Sequence, residues 1–193
     1  MIRKLYDWTL AQAEHRYAVW ILALVAFVES SVFPIPPDIL LIPMILAAPS
    51  RAWWLAAVCT IYSVLGGGLG YIIGAELYTL IGQPILEFYH KEDAFAEFAT
   101  RFNAQGHWAV LFAGVTPFPY KVITIASGVS GMSFVHFMLW SAIARGARFF
   151  IVAALLWYFG APIKSFIEKY LGLLFTAFCV LLIGGFFALR FLT

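Results

Sequence analysis

Charge is what this sequence has least of. Asp, Glu, Lys and Arg make up 11% of its 193 residues, against roughly 25% in ordinary globular chains. Its 12 basic and 10 acidic residues cannot cover the water-facing surface of a compact domain when many of them cluster in a few loops. That scarcity excludes a soluble protein. With 63% apolar residues and a mean hydropathy of +0.91, the chain reads as an integral membrane protein. A net charge of +2 is too small for a nucleic-acid binder, which needs a basic stripe over a polar surface. Cysteine is scarce too. Cys59 and Cys179 each sit inside an apolar run and read as free buried thiols, which leaves no disulfide framework or redox motif. The histidines, His15, His90, His107 and His136, lack HExxH spacing and cysteine neighbours, so no metal site is expected. Ser30, Ser31, Ser127 and Ser130 have no His or Asp partner in sequence, so neither an enzyme nor a cofactor is expected.

What is present is apolar sequence of helical length. A crossing needs about 20 predominantly apolar residues. Trp53 to Ile81 and Phe134 to Gly160 satisfy this easily, and Leu171 to Leu192 makes a third. Two other stretches are interrupted. Tyr17 to Phe33 contains Glu29 and ends at Pro34-Ile35-Pro36-Pro37-Asp38, and Ile39 to Ala48 is too short to cross alone. Proline removes a backbone donor and breaks the helix. Freed carbonyls at membrane depth are tolerated only inside protein or beside water. This predicts a re-entrant hairpin of two half-helices, the alternative being a kinked crossing.

The pattern recurs. His107 to Thr116 runs into Pro117-Phe118-Pro119, and Val122 to Ser133 follows. Pro34 and Pro36 map onto Pro117 and Pro119 with one offset, 83 residues (117 − 34 and 119 − 36), which places Asp38 over Lys121. The expected fold is therefore an all-α membrane protein of two inverted repeats. Each repeat has a re-entrant hairpin and a long transmembrane helix, and a C-terminal transmembrane helix completes the chain. Transporters build midplane sites from such discontinuous helices. The expected divisions of this single membrane domain are an interfacial helix over 1–16, a first repeat over 17–82, an amphipathic surface helix over 83–106, a second repeat over 107–160 and the C-terminal helix over 161–193.

In the 83–106 stretch, Phe88, Phe95, Phe98 and Phe102 share a helical face beside Glu87, Lys91, Glu92, Asp93, Glu97 and Arg101. A cleaved signal peptide is not expected, because acidic residues precede Val19–Val28 and no small-residue cleavage site follows. In the hairpin arrangement Arg3, Lys4, Arg16, Arg51, Lys164 and Lys169 share one side, with Lys91, Arg101 and Arg190 on the other. The basic excess puts the N-terminus in the cytoplasm.

Ionisable residues within apolar segments mark pathways, since a charge at the bilayer centre costs about 3 kcal/mol on insertion scales. Here they are Glu29, Asp38, Glu76, Lys121, Arg145 and Arg148. Asp38 and Lys121, each just past a P-x-P break, are expected to oppose one another at the hairpin tips. Arg145 and Arg148 share a helix face and offer guanidinium forks suited to phosphate, the alternative being pairing with Glu29 and Glu76. The Gly66-Gly67-Gly68, Gly70 and Gly74 series reads as close helix packing rather than a nucleotide loop.

With Glu29, Phe33-Pro34-Ile35-Pro36-Pro37-Asp38, the glycine series and Pro117-Phe118-Pro119-Tyr120-Lys121-Val122-Ile123-Thr124-Ile125-Ala126-Ser127-Gly128 in view, the chain resembles the bacterial DedA family, whose domain is shared with eukaryotic VTT proteins. The resemblance covers roughly residues 20 to 160. It implies a bacterial inner-membrane protein with opposed hairpins that translocates lipid, undecaprenyl phosphate for some members, in dependence on the proton-motive force. Glu29 and Asp38 fall where that family has membrane-embedded acids. Many members carry F-x-R-x-x-P-x-x-R in the second hairpin, where the nearest positions here are Gly114 and Lys121, and Arg145 and Arg148 are the candidates to replace those guanidinium groups.

The expectation is thus a transporter that flips or scrambles a phosphate-bearing lipid, with Lys121, Arg145 and Arg148 holding the phosphate and Glu29 and Asp38 exchanging protons. Its partners are membrane lipids and not nucleic acid, with homo-oligomerisation left open. A proton-coupled antiporter for small cations and a non-transporting scaffold are the alternatives.

Overall fold

The computed structural model describes residues 17–32, 35–90, 92–116, 118–160 and 162. The expected interfacial helix over 1–16 and the C-terminal helix over 161–193 fall outside the described residues, apart from residue 162. Every regular element among the described residues is helical. In chain order these are α1 (Ala18–Ser31), α2 (Asp38–Ala47), α3 (Ala52–Leu77), α4 (Gln83–Tyr89), α5 (Glu92–Val115), α6 (Tyr120–Val129) and α7 (Phe134–Gly160).

Proline sets the breaks, as the sequence implies. Pro37 and Pro119 are the N-cap residues of α2 and α6. A residue that cannot donate is well placed there, because helix-start N–H groups have no intrahelical acceptor. The 3-10 turn Pro49–Arg51 leads into α3, which passes through a π-helical turn, Tyr78–Gly82, into α4. The run Pro49–Tyr89 and the helix Phe134–Gly160 are both long and apolar enough to cross a membrane. Both carry large apolar side chains outward: Trp54, Ile61, Leu65 and Ile72 on the first, Val135, Leu139, Ile143 and Ile151 on the second. Apolar exteriors of this extent suit lipid rather than water.

The expected surface helix over 83–106 has different boundaries. Its first part continues the long run of α3, and His90, with φ of 51°, ends α4. Its second part belongs to α5, which continues without interruption through 106 to Val115. Phe95, Phe98 and Phe102 form a contiguous ring series on α5, while Phe88 packs on Tyr89. Local periodicity identified the aromatic face, but nothing between 102 and 107 stops a helix.

Contacts along α3 order the remaining helices. Trp53 lies 6.1 Å from both Phe150 and Trp157, Ser63 meets Arg145, and Tyr71 lies 5.2 Å from Phe134. Residue numbers rise on α3 as they fall on α7, so the two long helices are antiparallel. The glycine series lets α1 and α6 approach α3 at backbone distance. A Cβ on Gly66 would overlap the Phe27 carbonyl, and one on Gly74 would overlap that of Ile125. The packing role read from the sequence holds here.

Two apolar clusters fill the interior. One, towards the Ala52 end of α3, joins Leu22, Leu41, Ile45, Leu55, Cys59 and Phe149. The other joins Val110, Ala113, Tyr120, Met132 and Phe137. Cys59 is free and buried in the first, while Cys179 lies outside the described residues.

Candidate functional site

Between the apolar clusters runs a polar layer made by the helix breaks. The C-terminal end of α1 brings Glu29 and Ser30 beside the middle of α3, where Ser30 Oγ and Ser63 Oγ are 2.6 Å apart. From the other side of that layer, α7 contributes Arg145. Its Nε donates to Ser63 Oγ at 2.5 Å and its Nη2 donates to Glu29 Oε2 at 2.8 Å. Ser30 Oγ also donates to the same carboxylate oxygen at 3.0 Å. The guanidinium carbon lies 4.8 Å from the Tyr120 ring centroid and 4.7 Å from that of Phe149. Arg145 is 1% exposed. A charge taken so far from solvent requires both an ion partner and filled hydrogen-bond sites, and Ser63 and the two rings add to what Glu29 supplies.

One turn along α7, Arg148 performs a different task. Its Nη2 donates to Asp38 Oδ2 at 2.6 Å and its Nη1 to the Thr116 carbonyl at 2.9 Å. Asp38 opens α2, while Thr116 follows the last residue of α5. One guanidinium therefore bridges both helix breaks. The polarity is what the helix dipole favours, an acid at the first turn of α2 and a cation at the carbonyl end of α5. The Arg148 and Asp38 side chains keep 19% and 18% exposure, so this guanidinium is less enclosed than that of Arg145 at 1%.

Lys121 departs from expectation. Asp38 is paired with Arg148, and Lys121 Nζ instead points to the Val32 carbonyl at 3.5 Å. That carbonyl sits just past α1, so the lysine occupies another negative helix end. Thr124 Oγ1 donates to the Ser30 carbonyl at 3.3 Å and ties the same two elements together. Glu76 is exposed and belongs to none of these contacts. The alternative pairing is met for Arg145 with Glu29 and fails for Arg148 with Glu76. Of the break residues, Pro36 and Pro119 are described, whereas Pro34 and Pro117 lie outside the described residues.

The site thus gathers Glu29, Asp38, Lys121, Arg145 and Arg148 in one layer. Sequence reasoning missed Ser30, Ser63 and Thr116 as their partners. The available signal was a hydroxyl at an otherwise apolar helix position, which in a low-dielectric interior must find a polar neighbour. Among the described residues no group of three or more His, Cys, Asp or Glu side chains is placed to hold a metal ion.

The profile of the VTT domain matches residues 35–158. An uncharacterized protein of Haemophilus influenzae is 34% identical over 186 residues, covering 96% of each chain. An uncharacterized protein of Histophilus somni is 35% identical over 151 residues, covering 78% of each. No solved structure matches the chain. The motifs around the two proline breaks and the match across most of the helical bundle agree: this chain belongs to the DedA/VTT domain family of membrane proteins.

Proposed function

We propose that this chain translocates a phosphate-bearing lipid across the bacterial inner membrane, with α1–α2 and the C-terminal half of α5 with α6 acting as re-entrant hairpins of two inverted repeats. The single observation that carries the reading is Arg148, held between Asp38 of one break and the Thr116 carbonyl of the other. Both breaks lie at the level of the middle of α3 while their helices run off towards opposite ends of it. This placement supports entry of the hairpins from opposite membrane faces.

The charges suit an anionic cargo. Three bases less two acids leave the layer at +1, and protonation of Asp38 raises it to +2 (Lys121, Arg145, Arg148 against Glu29 alone). A phosphate monoester carries about −1.5 to −2 at neutral pH. A proton on Asp38 would release the Arg148 fork, which then meets phosphate bidentately while Thr116 keeps it aimed. Lys121, held by the Val32 carbonyl at 3.5 Å, adds the second cation. Arg145, sealed by Glu29, Ser63 and two rings, serves in this reading as the fixed post around which the layer assembles, a narrower role than direct phosphate binding. An N-terminus in the cytoplasm follows from the basic excess on that side.

The test is translocation of a fluorescent lipid phosphate in reconstituted vesicles. Asp38→Asn and Arg148→Ala are each expected to abolish it while the protein stays folded. Wild-type rates in both variants would refute the assignment. Loss in Asp38→Asn alone would remove Arg148 from the phosphate site, and no lipid transport by the unaltered protein would leave the cation antiporter or the scaffold.

A further inference from the structure

A second polar site lies well away from the central layer. The start of α7, the turn before it and the middle of α5 border an open pocket of about 360 Å³, lined by Asn103, His107, Gly131, Met132, Ser133, His136 and Trp140. Its floor sits towards the Leu77 end of α3, because the Tyr71 hydroxyl donates to the Met132 carbonyl. Asn103 fixes the wall: its side-chain amide donates to the Ser130 carbonyl at 2.9 Å, joining α5 to the end of α6. His107 is held by rings on both sides, 5.3 Å from Trp108 and 5.4 Å from Trp140.

The chemistry of the lining is one-sided. Its polar side chains are two imidazoles, a serine hydroxyl and the Asn103 amide already tied to Ser130, beside the Trp140 ring, and it contains no carboxylate. Two histidines without a third ligand make a poor metal site. The same groups, all able to donate hydrogen bonds, fit an oxyanion. From this end α5 runs directly to Thr116 and Arg148, and the ten steps from Gly106 to Thr116 span about 15 Å at 1.5 Å per residue. Tryptophans at this level match the belt that marks a membrane–water interface.

We infer that this pocket binds a phosphate group at one membrane face, as the docking site from which an anionic headgroup enters the second hairpin. The cargo role rests on the lipid-phosphate reading above, whereas the binding itself does not require transport. The chain has four histidines, so imidazole NMR signals of the full protein in nanodiscs report the pocket directly, with His90 as an internal control. The probes are a short-chain phosphatidic acid, inorganic phosphate, zinc chloride and a neutral diacylglycerol. The expected result is saturable shifts of His107 and His136, but not His90, with phosphatidic acid. His136→Ala and His107→Gln should each weaken binding by about tenfold, as loss of one charge-assisted hydrogen bond would.

Equal shifts with inorganic phosphate would identify a free-phosphate site and overturn the headgroup assignment. Shifts only with zinc, equal shifts with diacylglycerol, or no shift at all would overturn the phosphate site. His136 is exposed, so its replacement leaves the fold intact even where His107→Gln does not. Asp38→Asn protein that no longer transports yet keeps the imidazole shifts would show the pocket standing apart from the central pair. Normal transport by the unaltered protein with no shifts would overturn the pocket alone.

Discussion

Replacing Arg145 by methionine keeps most of the side chain's length and removes its charge. The loss falls on Glu29, whose side chain is 16% exposed and would retain Ser30 as its donor. Stripping one partner from a buried ion pair costs about 3–5 kcal/mol, because the remaining charge stays desolvated. Arg148→Met should cost a similar amount, because the Asp38 carboxylate it strands is 18% exposed, close to Glu29. The double variant Glu29→Gln, Arg145→Met should recover most of the Arg145→Met loss, because a neutral amide needs no counter-charge. Equilibrium unfolding in mixed micelles at rising SDS, followed by tryptophan fluorescence, measures all four proteins on one scale. A double variant less stable than Arg145→Met, or an Arg145→Met protein as stable as the parent, would show that Arg145 does not neutralise Glu29 and sink the argument.

The other predictions are simpler. Lys121→Met should leave the unfolding midpoint within about 0.5 kcal/mol, as for a surface substitution, yet slow lipid transport at least tenfold in the vesicle assay. Gly66→Ala should destabilise by about 1–3 kcal/mol, because its Cβ overlaps the Phe27 carbonyl and α1 must shift to admit it; a melting curve unchanged from the parent would contradict the close approach. In a Cys179→Ser background, Cys59 should resist maleimide until the protein is unfolded, since it is fully buried. In the same background with Cys59→Ser added, Asp38→Cys should react with a charged methanethiosulfonate and Ser63→Cys should not, as their exposures differ.

How far the site was legible depends on the range of the interactions involved. The break at Pro119 was readable because a missing N–H acts on its own turn of helix, whereas the first break was read at Pro34 and Pro36 and the helix start falls at Pro37. The two crossings were readable because hydropathy is a sum over one segment. The acid and base partners were not. Asp38 and Lys121 share a repeat position, which makes them natural opposites on paper, but Lys121 Nζ reaches Val32 and leaves Asp38 to Arg148. The extent of α5 also escaped, since an amphipathic stretch and an apolar one can share a helix when no residue between them interrupts it.

Scarcity of charge, the repeated P-x-P breaks and the glycine series determined by themselves a helical membrane protein of this family, with six of its ionisable residues set within apolar sequence or at its breaks. Those features act through local backbone chemistry and through water's rejection of apolar surface, and neither needs a partner. Tertiary structure alone decided which charges meet. Arg145 and Arg148 are three residues apart, and that small rotation about α7 turns one towards Ser63 and Glu29 and the other towards Asp38 and Thr116. A hydrogen-bonded ion pair forms only at about 3 Å, so the rotation and crossing of packed helices set the pairs.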